Sequence, residues 1–192
     1  MKRQILLVFV FIFLGVNMEL TAQTGGDKIL VAYFSWSGNA KALTGQVAEA
    51  IHGDLFEIKT VTPYPTNYDD CTRVARQEQN NNARPALSGR ITNIEQYSTV
   101  FLCYPIWWGT MPMVVFTFLE SYNFSGKTIY PLVTHGSSRF GRSLDDIRRL
   151  VPRAVIGEGL AVSAPDRNPN DNPNVSIPNR DVTNWLSRIG VR

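Results

Sequence analysis

The sequence predicts an α/β fold, a three-layer α/β/α sandwich in which one five-stranded parallel sheet lies between two layers of helices. Two observations carry this expectation. From Lys28 onward, strand and helix signals alternate five times, the pattern of consecutive βα units. The strand segments are continuous apolar runs, as in strands covered on both faces, whereas a sheet with one wet face would alternate apolar and polar residues.

Lys28 to Phe34 reads as the first strand. The helix after it carries Leu43, Val47 and Ile51 on one face at four-residue spacing and is closed by His52 and Gly53. Asp54 to Lys59 is the second strand. Tyr68 to Asn82 is polar and predicts an exposed helix. Thr99 to Tyr104 is a third, buried strand. The helix that follows has Val114, Val115, Phe118, Leu119 and Tyr122 as its core face, Thr110 as its cap and Pro112 in its first turn. Lys127 to Thr134 is the fourth strand, although Pro131 lies within it; a proline in an interior strand removes a ladder hydrogen bond and predicts a bulge. Leu144, Ile147 and Val151 mark the next helix, Val155 to Val162 the fifth strand, and Val182, Trp185, Leu186 and Ile189 the last helix. Ala164 to Asn179, rich in Pro and Asn, is a surface loop and not a second domain.

Residues 1–22 stand apart from that domain, which spans residues 28–192. Lys2 and Arg3 precede an apolar run from Ile5 to Leu14, and Leu20-Thr21-Ala22 offers small or apolar residues before the polar Gln23-Thr24-Gly25-Gly26. This is the layout of a secretory signal peptide and predicts export, to the periplasm. The run is shorter than the roughly 20 residues of a membrane span, and no cysteine follows it to be lipidated, so no stable membrane anchor is expected after cleavage. Without residues 1–22, 17 basic residues face 15 acidic ones. So even a balance, with no dominant Lys/Arg cluster, argues against a nucleic-acid partner. Of the two cysteines, Cys103 lies inside an apolar strand run and reads as a small core residue; Cys71 lies in the polar helix, and no disulfide is expected.

Open parallel sheets bind ligands outside the carboxyl ends of their strands, at the switch in strand order. Three predicted loops leave those ends. The first is Ser35-Trp36-Ser37-Gly38-Asn39-Ala40-Lys41. Two hydroxyls, a glycine that allows close approach, and free N–H groups at the positive end of a helix make an anion cradle. The second runs from Tyr104 through Pro105, Ile106, Trp107, Trp108 and Gly109 to Pro112. Adjacent tryptophans cannot both point into a core, whereas a planar ligand such as a flavin gives both a surface to stack on; Gly109 would let a backbone amide approach the ring's edge. The third runs from Thr134 through His135 and Gly136 to Phe140 and Gly141. Its glycines and hydroxyls suit the polar edge of a flavin, and His135 can hydrogen-bond that edge or stabilise negative charge on the reduced ring. No residue is singled out as catalytic and none as a metal ligand.

Several stretches together carry a resemblance. They are Lys28-Ile-Leu-Val-Ala-Tyr-Phe-Ser-Trp-Ser-Gly-Asn39, Thr62-Pro-Tyr-Pro-Thr-Asn-Tyr68, Arg84-Pro85, Phe101-Leu-Cys-Tyr-Pro-Ile-Trp-Trp-Gly-Thr-Met-Pro112, Phe118-Leu-Glu-Ser-Tyr122, Ser125-Gly-Lys-Thr128 and His135-Gly136-Ser137. With these the chain resembles the flavodoxin-like family over nearly its whole length after residue 27. The resemblance implies strand order 2-1-3-4-5 and FMN as the bound cofactor, its phosphate in the first loop and its isoalloxazine between the second and third. Carried over by position, Ser35, Ser37, Gly38, Asn39 and Ala40 hold the phosphate, and Pro105, Ile106, Trp107, Trp108 and Gly109 line the ring. There are two departures. Such loops commonly end in Thr, so Ala40 lacks one hydroxyl for the phosphate. Carriers of the family are usually acidic, and this chain is nearly neutral.

Two roles are compatible with that resemblance. In one the protein is a reductase that passes electrons from an unknown redox partner to a small quinone-like acceptor; Pro-Ile-Trp-Trp-Gly is also similar to a segment of flavodoxin-fold quinone reductases. In the other it is an electron carrier without a small-molecule substrate. A fold that has lost its flavin is the third reading. The N-terminal pattern yields a direct expectation: protein recovered from the cell envelope begins after Ala22 when its N-terminus is sequenced, and an intact Met1 on soluble cytoplasmic protein would contradict export.

Overall fold

The computed structural model describes residues 28–164 and 179–191. The signal segment and nearly all of the loop expected between Ala164 and Asn179 lie outside the described residues. Strands and helices alternate as β1 (Lys28–Tyr33), α1 (Asn39–Ile51), β2 (Asp54–Glu57), α2 (Tyr68–Asn80), β3 (Tyr97–Pro105), α3 (Met113–Glu120), β4 (Thr128–His135), α4 (Ser143–Leu150), β5 (Val155–Ile156), β6 (Leu160–Ser163) and α5 (Asn179–Arg188). All strand pairs are parallel, in the order β2-β1-β3-β4-β5, with β6 also on β4. This is the flavodoxin-like order the resemblance implies.

The two-residue period of a strand sorts the core into two layers. Leu30, Ala32, Phe34, Val100, Leu102, Tyr104, Ile129 and Val133 face α3 and α4, where Val114, Val115, Phe118, Leu119 and Ile147 meet them. Val31, Tyr33, Phe101, Cys103 and Leu132 face α1 and α5, where Leu43, Val47, Val182 and Trp185 close the other side. Trp185 is fully buried, its ring edge-on to Phe101 at 5.6 Å. Each large side chain buried in this way contributes roughly 1.5–3 kcal/mol. Cys103 is a buried thiol outside any disulfide, as expected, and burial pushes its pKa up to about 12; Cys71 is also buried and in no disulfide.

The expectations around Pro131 and Thr110 are overturned. Pro131 causes no bulge: β3 and β4 stay in register from Thr99↔Thr128 to Pro105↔Thr134, with Leu102 opposite Pro131. The irregularity comes on the proline's other side. Ile129 accepts a bond from the Gly157 N–H, so the edge two residues on, where Pro131 lacks its N–H, also faces the fifth strand. That strand is broken there. It pairs with β4 as β5 at Thr128 and Ile129, stops through Gly157-Glu158-Gly159, and resumes as β6 at Leu132. The single fifth strand expected from Val155 to Val162 is therefore two short ones, and the missing donor falls in the gap. Thr110, for its part, does not cap α3. Pro112 occupies the cap position without a side-chain bond, and the Thr110 hydroxyl is used elsewhere.

The gap is tight. A Cβ at Gly159 would lie 2.8 Å from the Phe140 ring and 2.9 Å from the Pro131 carbonyl oxygen. In urea unfolding, Gly159→Ala should lower stability by about 1–3 kcal/mol. Gly45→Ala, in exposed helix with nothing within 4 Å of the added carbon, should instead raise it by roughly 0.5–1 kcal/mol.

Candidate functional site

β1, β3 and β4 are neighbours and end at Tyr33, Pro105 and His135, so the loops after them share one rim of the sheet. The first loop enters α1 through Gly38, which holds φ 95 at the N-cap, a conformation that costs glycine nothing. Gly38 brings no side-chain cap to α1, whose first turn carries no acidic residue. α2 and α4 differ, with Asp69 and Asp70, and Asp145 and Asp146, in their first turns. The positive end of the α1 dipole is thus left for something outside the helix. Ser35 Oγ accepts from the Lys41 N–H at 3.1 Å, and the Asn39 amide donates to the Ala164 carbonyl at 3.2 Å, tying the loop to the end of β6. Ala40 is buried with its methyl in the α1/α5 core layer, so it can offer an anion only its N–H.

The second loop turns in two residues. Trp107 and Thr110 exchange both backbone hydrogen bonds, at 2.8 and 3.1 Å, across Trp108 and Gly109, whose φ values of 49 and 80 are both positive. A tryptophan there is unfavourable by about 1–2 kcal/mol, and the surroundings hold it. The Gly109 carbonyl accepts from the Arg142 N–H at 2.9 Å, and the Thr110 hydroxyl donates to Asp146 Oδ2 at 2.6 Å. Burial alone would push the Asp146 carboxyl up, but the hydrogen bonds from Thr110 and Arg149 and the charges of Arg142 and Arg149 hold it below its ordinary value. The two indoles point apart. Trp107 packs edge-on to Tyr64, Phe34 and Trp36 at 5.2, 5.4 and 6.4 Å. Trp108 is half-exposed and lies on α2, donating Nε1–H to the Thr72 carbonyl at 3.0 Å beneath the Arg76 guanidinium, which is 4.9 Å from the ring centre.

Between these walls lies a cavity of about 360 Å³. Trp36, Pro105, Ile106, Trp107, Trp108, Thr134, His135 and Gly136 line it from the loops; Gly109, expected beside the ring, does not, and its carbonyl is taken by the Arg142 N–H. Two buried polar atoms in this wall, Thr134 Oγ1 and His135 Nδ1, have no hydrogen-bond partner among the described residues. Burial, and then the nearby Arg139 charge, push the His135 imidazole below its ordinary pKa, so it is neutral at physiological pH. Ser35, Ser37, Gly38, Asn39 and Ala40 do not line the cavity. They form the adjoining cradle at the start of α1. Phe140 and Gly141 stand behind the site: Phe140 packs on the core, and a Cβ at Gly141 would meet the Gly109 carbonyl oxygen at 2.2 Å. Their role is to brace the Trp108–Gly109 turn.

One wall was missed. α2, expected to be exposed, buries Cys71 and Ala75 and closes the cavity with Tyr68, Cys71, Thr72 and Ala75. The signal was present, because 68, 71, 72 and 75 follow the i, i+3, i+4, i+7 spacing of one helix face. It was masked by the eight polar or charged residues among the other nine of YDDCTRVARQEQN. Among the described residues no group of His, Cys, Asp and Glu could hold a metal ion, and no helix is long and apolar enough to cross a membrane.

Comparison with known proteins agrees with this architecture. The flavodoxin family profile matches residues 28–187. A candidate flavoprotein of Bacteroides eggerthii DSM 20697 is 30% identical, with a TM-score of 0.72 over 87% of this chain and 100% of that chain. A second, from Bacteroides uniformis ATCC 8492, is 29% identical, with a TM-score of 0.71 over 84% of this chain and 99% of its own. A Lactobacillus acidophilus NCFM flavoprotein solved in complex with FMN shares the fold at 18% identity, with a TM-score of 0.61 over 71% of this chain and 93% of that one. No curated protein matches the chain significantly.

The state of His135 can be read by NMR. Its imidazole should titrate below 6.5, and Arg139→Ala should move the midpoint up. Because the folded value is the lower one, the unfolded chain binds the proton more readily, and the contribution of this residue to stability is lost as pH falls below 6.5. A midpoint at or above 6.5 that ignores Arg139 would contradict the burial of Nδ1.

Proposed function

The chain belongs to the flavodoxin family, and on that premise we propose that it is an exported flavoprotein that holds one FMN and passes electrons from a redox partner to a small quinone-like acceptor. The observation that carries this reading is the aromatic cavity with two unsatisfied polar atoms, Thr134 Oγ1 and His135 Nδ1, in its wall. A buried polar atom left without a partner costs about 1–3 kcal/mol, which a planar ligand with a polar edge removes. The cavity falls within the roughly 300–1,000 Å³ of small-molecule sites. The acid-free start of α1 beside it, entered through Gly38, fits a phosphate. These features fit FMN, and the FMN complex of a protein of the same fold supports the choice.

When bound, FMN supplies a ring that accepts and releases electrons singly or as a hydride. The chain does the rest. First-turn N–H groups of α1, with the hydroxyls of Ser35 and Ser37, hold the phosphate. Trp107 and Trp108 offer aromatic surface and exclude water. The Thr134 hydroxyl and the neutral His135 ring hydrogen-bond the polar edge, while Arg139 supplies positive charge. His135, being neutral, is therefore a hydrogen-bonding group, and the stabilisation of negative charge considered for it falls to Arg139. Acidic surroundings disfavour negative charge on a bound flavin, and this near-neutral chain lacks them. That supports a higher midpoint potential than acidic carriers have, one suited to quinone-like acceptors.

Purified mature protein incubated with FMN should show flavin absorption bands shifted from those of free FMN. Arg139→Glu should then lower the midpoint potential by about 30 mV for each 1.4 kcal/mol of stabilisation lost in a two-electron couple. Absence of bound flavin would end the redox reading. A potential as low as that of acidic carriers, indifferent to Arg139, would favour the carrier role instead.

A further inference from the structure

The rim of the cavity carries charge that a neutral acceptor would not use. Most arginines near it are paired with a carboxylate: Arg73 with Asp70, Arg148 with Asp145, and Arg142 and Arg149 with the single charge of Asp146. Arg76 and Arg139 are not. Among the described residues neither meets a carboxylate, and both are exposed. The Arg76 guanidinium lies 4.9 Å over the Trp108 ring centre and gives one N–H to Gln79 Oε1 at 3.0 Å; the residue is exposed, and its other N–H groups meet no carboxylate among the described residues. Arg139 stands on the β4–α4 loop, where its charge reaches His135. Trp108 and His135 line the same cavity, so the two unneutralised cations stand over two of its walls. Half-exposed Tyr68 and Trp108 add aromatic surface to that rim. Of the α2 acids outside a salt bridge, Glu78 accepts from the Tyr64 hydroxyl at 2.7 Å, and Asp69 lies seven residues before Arg76, about 10 Å along the helix.

We propose that this cavity mouth selects planar aromatic anions, quinoid rings bearing a carboxylate or sulfonate group, over neutral lipid-like quinones. The inference rests on the redox reading of the site and names its acceptor class. A guanidinium held over a tryptophan ring still has N–H groups to give to such a group. A second cation on the neighbouring loop adds attraction in the same place, while the acceptor ring gains the aromatic surface. A neutral quinone gains only the stacking.

The test uses oxidised, FMN-loaded protein without reductant, titrated with a naphthoquinone sulfonate and with menadione, its neutral counterpart, while tryptophan fluorescence is followed. The sulfonate should bind more tightly. Arg76→Gln and Arg139→Gln should each weaken it by about threefold to tenfold, with added salt acting in the same direction. Menadione should be indifferent to all three changes. Equal affinity for both quinones, unmoved by either substitution, overturns the anion preference, and reduction of both by the chemically reduced protein would then leave the reductase reading standing. Failure to load FMN, or to reduce either quinone, removes the redox reading and the acceptor class with it.

Discussion

The hydrogen bond from the buried Thr110 hydroxyl to Asp146 is the contact on which the site's geometry depends. It ties a strained two-residue turn to a helix. Trp108 and Gly109 sit at positive φ, and only the glycine is indifferent to that. The turn keeps its shape because Arg142 and Asp146, at the start of α4, grip it from behind, and because Gly141 leaves room for the Gly109 carbonyl. Asp146 in turn is held by Arg149 at 2.8 Å, one turn further along α4. Its depressed pKa keeps the carboxylate ionised from neutral pH down into the acid range. The grip is lost only as pH falls through that lowered value.

That grip is continuous with the core. Tyr104, fully buried at the end of β3, donates to Ser143 Oγ at 3.0 Å, and Ser143 Oγ donates to the Phe140 carbonyl at 2.7 Å. Phe140 fills the space over Gly159, in the gap where Pro131 leaves the fifth strand unpaired. A strand interruption that looks like a fault is thus the seat of the side chain that anchors the loop behind the site. A regular fifth strand would leave a proline facing an unsatisfied carbonyl, and would leave Phe140 without that seat.

Why some of this was legible in the sequence follows from where each signal resides. Apolar period and segment length fixed the sheet and the faces of α1, α3 and α5, since Leu43, Val47, Val114, Phe118 and Trp185 have no other place to go. Gly38 and the paired tryptophans marked the loops because their chemistry is local. Thr110 misled because a hydroxyl before a helix is the usual capping signal, whereas its partner lies thirty-six residues away on α4. Pro131 misled because the strand ladder has two sides, and the sequence does not say which of them a proline faces. The wall from α2 was hidden by composition, its single buried stripe being outnumbered by the charges on its other faces.

Charge divides the rim into zones with different tasks. At the start of α1 there is no acid, and Gly38 offers no side-chain cap, so backbone N–H groups and the loop hydroxyls meet whatever binds there, an arrangement suited to an anion. At the cavity wall, burial and the Arg139 charge keep His135 neutral, and the Thr134 hydroxyl has no partner among the described residues, so this zone offers hydrogen bonds without fixed charge. At the mouth, Arg76 and Arg139 offer charge without carboxylate partners. Burying either cation would require a carboxylate to offset its desolvation. Their positions at the solvent edge keep both cations available to a molecule arriving from solution. Nearer the turn, Asp146 is enclosed by Thr110, Arg142 and Arg149, so its charge is spent on holding the turn and does little to repel an anion at the mouth.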